Sequence, residues 1–511
     1  MQTDVLIVGA GPTGLALANQ LARYGVDFLI IDKREGTTPH SRAIGVQART
    51  LEIYDQMDIA NDLISKGWHA DKVRLVGGGE VRGELDLQEL GEGMSPFPFL
   101  LIVEQGLHEA LLYDHLRSSG NDVSWLTEME TFSQNDSSVS ATVIRNGVRS
   151  DISAKYLVGC DGAHSHVRHA LGLQFEGSTF ERLFYVADVD IDWEFSHDAL
   201  HVNLGDDTLT AFFPMVGDRR WRIVGTFPEG HDKEADEIAF DEIEQQVASD
   251  TSLKFDITNI HWSSVYKVHS RAVERFSSGQ CFLAGDAAHI HTPAGAQGMN
   301  TGIQDGYNLA WKLAEVIKHG SPESLLDTYN EERLPNAKRL LSTTDRIFDF
   351  AASDEWFVSF VRKNIFPYVA NFALSFDAVK QIVFPLVSQI GISYRGSSLS
   401  EAVGSLDVEA GDRMPWFSVG ERSVYDDLHA PMFHLLVFSD GTIEIPPLSD
   451  DLMKKWNGRI DSHFYPLDEA VKNAFGCGHS FFVILRPDNY IGLISDDFSP
   501  NLVENYLAKF A

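Results

Sequence analysis

The apolar positions change period twice in the opening residues. Residues 4–8 form a short apolar run, residues 14–24 repeat apolar positions at helical spacing, and residues 27–31 form a second run. That pattern predicts strand, helix and strand, one βαβ unit, with glycines in the first turn. The segment Thr142 to Arg149 carries Asn146-Gly147 between apolar alternations and predicts a hairpin leading into a strand at 156–158. From about 174 to 280 the pattern becomes alternating, as in residues 183–191 and 220–227, and predicts antiparallel strands. An α/β pattern returns with the short strand at 281–284, a Gly285-Asp286 turn and a helix over about 302–318 marked by Ile303, Leu309, Leu313 and Val316. A helical region extends to about 398. A small α/β unit then carries a strand at 434–438, a hairpin over 481–494 turning at Pro487-Asp488-Asn489, and a final helix. The last helix has one apolar stripe, Leu502, Val503, Tyr506, Leu507 and Phe510, which reads as core or domain docking.

Length and charge narrow the picture. A chain of 511 residues exceeds one compact core, so two or three domains are expected. A formal net charge of −33 repels phosphate backbones and anionic lipid, which argues against nucleic acid and membrane partners. The apolar region 364–394 is interrupted by Asp377 and Lys380 and contains Pro367 and Pro385. A membrane-spanning helix needs roughly 20 apolar residues, so this region predicts buried or lid-like helices in a soluble protein. The apolar N-terminus lacks the basic start of a signal peptide. Three cysteines, Cys160, Cys281 and Cys477, have neither CxxC nor metal spacing and fit a reducing, cytoplasmic setting. No metal site is assigned.

The first turn reads Gly9-Ala10-Gly11-Pro12-Thr13-Gly14, and Asp32 ends the next strand roughly 20 residues on. In that context Gly9 permits the turn, Gly11 admits a pyrophosphate and Gly14 lets helix and strand pack closely. The helix N-terminus offers unpaired N–H groups to phosphate, and Asp32 can accept from ribose hydroxyls. This motif alone leaves FAD and a nicotinamide dinucleotide both open.

Two further segments bear on the choice: Tyr156-Leu-Val-Gly-Cys-Asp161-Gly162 continuing to Arg168, and Phe282-Leu-Ala-Gly285-Asp286-Ala-Ala-His289. With the first motif, in this order, residues 1 to about 340 resemble the single-component FAD-dependent aromatic hydroxylases typified by para-hydroxybenzoate hydroxylase. Ser41-Arg42-Ala43, Arg49-Thr50-Leu51-Glu52, Gln105, and Pro293-Ala-Gly295-Ala-Gln297-Gly298-Met299-Asn300 with Asp305 extend the likeness. The tail, with residues 410–415 and 485–488, resembles the thioredoxin-like domain of the phenol hydroxylase-like branch. It lacks CxxC, so scaffolding or oligomer contacts are expected there.

The resemblance implies an α/β architecture: a Rossmann-like FAD-binding domain (1–173 and 281–345), an antiparallel-sheet substrate domain (174–280), a helical connector (346–399) and a thioredoxin-like C-terminal domain (400–511). It implies FAD held by Gly9, Gly11, Pro12, Thr13, Gly14, Asp32, Lys33, Arg42, Gln105, Asp161, Asp286, Gly298, Met299 and Asn300. Asp286 would serve the ribityl hydroxyls, with a cap on the following helix as the competing role, Arg42 and Gln105 the phosphate and ribityl side, and the backbone at 298–300 the flavin pyrimidine edge. Asp161 and Arg168 would link FAD to the nicotinamide donor, with a helix cap by Asp161 and Ser165 as the competing role. His289 reads as a buried, hydrogen-bonded histidine. Phe213, Pro214, Met215, Pro293 and Gly295 are the substrate-lining candidates. Ala296, in place of a frequent glycine, and Ser278-Gly279-Gln280, in place of a frequent Gly-Arg, depart from the family pattern and bear on donor contacts and flavin mobility.

The implied chemistry is reduction of FAD by NADPH or NADH, addition of O2 at flavin C4a, and oxygen delivery from the hydroperoxide to an aromatic, phenolic or polyketide-type molecule. The flavin carries this chemistry, so no catalytic side chain is named. Within the fold, antibiotic inactivation and Baeyer–Villiger oxidation stand as alternatives, and a homodimer is open as the assembly. A halogenase is disfavoured because WxWxIP is absent. From other classes, a non-catalytic flavin-holding protein and a plain nicotinamide dehydrogenase remain to be separated.

Overall fold

The computed structural model describes residues 1–39, 43–205, 208–231, 233–292, 297–352, 377–404, 406–441 and 454–511. Its N-terminal unit is β1 (Gln2–Val8), α1 (Pro12–Arg23) and β2 (Phe28–Ile31), as the apolar periods predict. β1 pairs in parallel with β2, Val8 beside Ile31, and on its other side with Val148–Gly159, Val8 beside Gly159. Cys281–Leu283 extends the sheet in parallel, Leu283 beside Gly159. The three turns that follow these strands, at Gly9, Asp161 and Gly285, therefore meet at one carboxyl edge. In open parallel sheets that edge is where ligands gather. The Asn146-Gly147 hairpin is present, with φ of 51° and 77° at its two turn residues, as a type I′ turn requires.

α1 lies against the long helix Gly298–His319, and glycine sets the approach. A Cβ at Gly302 would fall 2.4 Å from the Thr13 hydroxyl, and one at Gly306 would fall 3.2 Å from Leu17. Neither contact tolerates a larger residue without moving a helix.

A second eight-stranded sheet is mostly antiparallel. Its centre is the pairing of Phe175–Trp193 with Phe255–Val273 and Arg220–Thr226. The sequence confines this sheet to 174–280, and the structure extends it. Lys72–Gly77 pairs in parallel with Leu200–Leu204, Glu80–Asp86 follows it, and His289–Ile290 joins at the opposite edge. The physical reason is that Leu200–Leu204 has an open edge, which a strand from far upstream closes. Helix Phe240–Thr251 covers one face through Ile243 and Val247, packed with Phe212 and Trp221. The other face carries Phe213 and Leu200, packed with Ile44 and Ile102.

Helices Asp327–Ala352 and Asp377–Val387 lie in the connector region, and residues 353–376, including the first part of the 364–394 stretch, lie outside the described residues. In the second helix Phe384 is buried against Gly91. Among the described residues no helix is long and apolar enough to cross a membrane. The last unit is a five-stranded sheet in the order Glu401–Val403, Ile491–Ser495, Phe481–Leu485, Phe433–Ser439, Ile460–Pro466. The terminal apolar stripe packs as core: Val503, Tyr506, Leu507 and Phe510 are buried with Phe433 and with Trp311 of the 298–319 helix.

Candidate cofactor and active site

The three motif glycines have three different jobs. Gly9 has φ +106°, and a Cβ there would lie 2.3 Å from the Cys160 carbonyl oxygen. Gly14 lies so close under the turn that a Cβ would sit 2.0 Å from the Gly9 oxygen. Around Gly11 a Cβ would meet nothing within 4 Å. Gly11 also caps α1 without a side chain, Pro12 following at the first helical position. The helix therefore points its first N–H groups and its positive dipole end into open space, an arrangement that suits a diphosphate.

Asp32 shapes this loop from below. Its carboxylate accepts from the Ala10 N–H at 2.7 Å and from the Arg34 backbone N–H at 2.8 Å. Arg34, which the sequence does not single out, clamps the region. Its guanidinium donates to Asp32 at 3.1 Å, to Glu109 at 3.3 Å and to the Ala10 carbonyl at 2.9 Å. Glu109 is itself buried and accepts from the Thr38 N–H and from the side chain of Gln105, both at 2.9 Å. Gln105 in turn accepts from the Ala43 N–H at 3.2 Å. Asp32, Arg34, Glu109 and Gln105 thus form one chain that holds Arg34, Thr38 and Ala43 beside the glycine turn. Lys33 is exposed; Arg42, Pro293 and Gly295 lie outside the described residues.

The Gly285 turn closes the opposite side. Gly285 has φ +60°, and a Cβ there would lie 2.5 Å from the Thr13 hydroxyl. Thr13 therefore spends its side chain on the junction of three elements and leaves its backbone to face a ligand. The buried Asp305 carboxylate accepts from the Gly285 N–H at 2.9 Å and from the Arg333 Nε at 2.7 Å, and contacts His289 Nε2 at 2.7 Å. Burial alone would raise the Asp305 carboxyl, but Arg333 and His289 outweigh it and hold it below the usual range. His289 is the buried, hydrogen-bonded histidine that its setting implies. This anchor leaves Asp286 exposed at the strand end.

The 298–319 helix begins at the same place, again without a side-chain cap. Asn300 is buried and pinned: its side chain donates to the Gly45 carbonyl at 2.9 Å and accepts from the Gln47 N–H at 2.9 Å and the Thr50 hydroxyl at 2.7 Å. Its part is to seat the helix start, so that the backbone of Gly298, Met299 and Asn300 is what remains for a ligand. Asp161 is engaged as a cap. It accepts from the Ser165 hydroxyl at 2.5 Å and the His166 N–H at 2.7 Å, and Ser165 caps the short helix His166–Ala170. Arg168 is buried over the Phe175 ring and donates to the Ala163 and Ala287 carbonyls.

The described substrate-lining candidates, Phe213, Pro214 and Met215, sit at the end of strand Leu209–Pro214. Phe213 is half-buried on the face shared with Ile44, Trp68 and Ile102, opposite to Phe212. Pro214 and Met215 are buried. Met215 borders a recess of about 110 Å³ with Lys66, Ile102, Val103, Leu107 and Arg220. Sites for drug-sized ligands run to roughly 300–1,000 Å³, so this recess takes at most an edge of such a molecule.

The donor set at the sheet edge suits FAD: an open diphosphate cradle, an acid beneath the ribose position, and a second uncapped helix start. A family model described as an FAD binding domain matches residues 2–344. A flavin-dependent monooxygenase of Mycobacteroides abscessus is 34% identical over 522 residues, covering 99% of both chains. The chain belongs to the FAD-dependent aromatic monooxygenases. That excludes the plain nicotinamide dehydrogenase. This monooxygenase is also 32% identical to 6-methylpretetramide 4-monooxygenase of Streptomyces rimosus, over 96% of its own length and 90% of the relative's. Among solved structures, anhydrotetracycline hydroxylase from Streptomyces rimosus superposes with a TM-score of 0.77 at 26% identity, covering 100% and 99% of the two chains. The fold is shared with aklavinone-11 hydroxylase in complex with FAD and aklavinone, at a TM-score of 0.81 and 23% identity, covering 99% and 98%.

Proposed function

We propose that this monooxygenase uses NADPH or NADH and O2 to hydroxylate a fused-ring, polyketide-type phenol. The observation that carries the proposal is the open space at Gly11 beside an uncapped helix start, in a chain that aligns over nearly its whole length with 6-methylpretetramide 4-monooxygenase and with the structure of an anhydrotetracycline hydroxylase. Bound FAD supplies electron transfer from the nicotinamide donor and oxygen activation. Gly9, Gly11, Pro12, Thr13 and Gly14 would hold its diphosphate through backbone N–H groups, with Asp32 and the exposed Lys33 at the adenosine side. Gln105 would contact the cofactor beside Ala43, and Asp286 would accept from the ribityl hydroxyls. The dipole of the 298–319 helix favours negative charge on the ring edge it faces. Phe213, Pro214 and Met215 would roof the substrate and exclude water. Arg42, Pro293 and Gly295 keep the roles that the family resemblance implies. The local bonds of Asp161 favour a capping duty over donor contact.

The C-terminal sheet supports a thioredoxin-like assignment for 400–511. Ile460–Pro466 and Phe433–Ser439 pair in parallel, and Phe481–Leu485 then Ile491–Ser495 follow antiparallel. Without CxxC this unit serves as scaffold, and homodimer contacts would fall there. Three buried free thiols fit the cytoplasm.

The test is a panel of polyphenolic fused-ring compounds, read by stimulation of NAD(P)H oxidation and by product carrying one added oxygen atom. Stimulated consumption with oxygenated product is expected. Bound FAD with no oxygenated product across the panel would favour the flavin-holding alternative. Asp286→Ala should weaken FAD binding by about tenfold, the worth of one hydrogen bond of about 1.4 kcal/mol. Because Asp286 is exposed, the variant should keep its fold. An unchanged FAD dissociation constant removes Asp286 from the site.

A further inference from the structure

Away from the FAD edge, the C-terminal sheet brings His434, Asp461 and His463 together. His434 sits on Phe433–Ser439 and the other two on the parallel edge strand Ile460–Pro466. The register sets His434 beside Asp461 and Leu436 beside His463. Residues two apart on a strand share a face, so all three side chains project from one side of the sheet. One nitrogen or carboxylate oxygen from each lies within 4.8 Å of the others.

The hydrogen bonds define which lone pairs converge. His434 Nε2 lies 3.2 Å from the Ala430 carbonyl, which can only accept, so that nitrogen carries its hydrogen. Nδ1, the other ring nitrogen, lies 2.6 Å from Asp461 Oδ1, a hydrogen-bond distance that a proton on Nδ1 bridges when no metal is bound. His463 Nε2 faces the other oxygen of the same carboxylate at 3.2 Å. Three groups that can each offer an electron pair therefore meet at one place, and a divalent cation can displace the protons between them. A ligating imidazole whose second N–H is fixed by a backbone carbonyl is the usual outer-shell arrangement at metal centres.

We infer that His434 Nδ1, His463 Nε2 and the Asp461 carboxylate form a zinc site, with water in the fourth position. Tetrahedral zinc with bonds of about 2.0–2.1 Å spaces neighbouring ligand atoms roughly 3.3 Å apart, so the 2.6 Å pair must open and the widest pair, within 4.8 Å, must close for the three to coordinate one ion. His434 is fully buried, whereas Asp461 and His463 are half-buried, which gives the ion a way in. The ion would staple the edge strand to its neighbour. It would also stiffen the segment around Ala430, where the Leu428 and His429 carbonyls accept from Gln56 and Arg23 of the FAD-binding part. The role is therefore structural, independent of substrate turnover.

The test uses the full FAD-loaded chain, stripped with a chelator and titrated with zinc chloride against a competing indicator. One zinc per chain is expected, together with a rise in melting temperature. Asp461→Asn and His463→Gln, both at accessible positions, should each weaken binding by about 100-fold or more, above the losses typical of outer-shell changes. His429→Gln and His479→Gln, exchanged at other histidines beside carboxylates, should leave it unchanged. Cobalt(II) should give the visible bands of a four-coordinate site in wild type and lose them in His463→Gln. Zinc uptake that is non-stoichiometric, or equal in wild type and His463→Gln, overturns the site.

Discussion

Gly11→Val is expected to fold normally and to purify without FAD. Two features of the glycine turn separate these outcomes. Gly11 has φ −77° and ψ −175°, extended backbone open to any residue, and no atom stands within 4 Å of a new Cβ. A valine therefore strains nothing in the protein. It does fill the space through which a diphosphate reaches the first N–H groups of α1. Losing two hydrogen bonds to a charged group, at about 1.5–3 kcal/mol each, weakens binding by roughly 10²–10⁴-fold. Flavin absorbance should be absent after gel filtration, NAD(P)H oxidation should fall to background, and the melting temperature should match that of the wild-type apoprotein. Gly9→Ala is the contrast: positive φ and a 2.3 Å contact to Cys160 predict a failure to fold. Gly11→Val retaining wild-type flavin would show that the cofactor phosphates lie elsewhere.

How far this site was legible in the sequence depends on distance along the chain. The βαβ unit, the glycine turn, the Asn146-Gly147 hairpin and the 481–494 hairpin rest on neighbouring residues, and spacing reveals them. Arg34 was invisible because its partners are Asp32, next but one, and Glu109, on a helix far downstream. A cation after a strand reads as surface until that helix is placed. Asn300 is a different case: the sequence marks its backbone for the cofactor, and only the fold reveals that its side chain is committed to Gly45, Gln47 and Thr50. Residues 72–86 lacked a signal for the second sheet, since a strand's pattern of alternation does not name its partner.

The second large effect lies where four chain segments lock the C-terminal sheet onto the FAD-binding part, and Glu332→Ala should undo it. The Glu332 carboxylate is fully buried and accepts from five donors. One oxygen takes the Ser397 hydroxyl at 2.7 Å and Arg486 at 2.6 Å. The other takes Asn308 at 2.7 Å, Lys312 at 2.8 Å and Arg486 at 3.2 Å. Burial alone would raise this carboxyl, but Arg486 and Lys312 hold it well below the usual range. Arg486 keeps Asp488 as a second partner, and Asp488 also accepts from the Trp311 indole at 3.1 Å. Lys312 has no second carboxylate in its hydrogen bonds, and burial already pulls its ammonium pKa down to about 8, so Glu332→Ala leaves it buried without its counter-charge. Breaking a buried pair from one side costs about 3–5 kcal/mol. That is a large share of the roughly 5–15 kcal/mol that holds a domain folded, and it should lower the melting temperature by roughly 10 °C. Limited proteolysis should then release fragments from residues 400–511 while flavin absorbance persists. Adding Lys312→Met to Glu332→Ala removes the stranded charge and should recover part of the loss. A single variant that melts with wild type, or a double variant that melts below the single one, means that the network is not what docks the two parts.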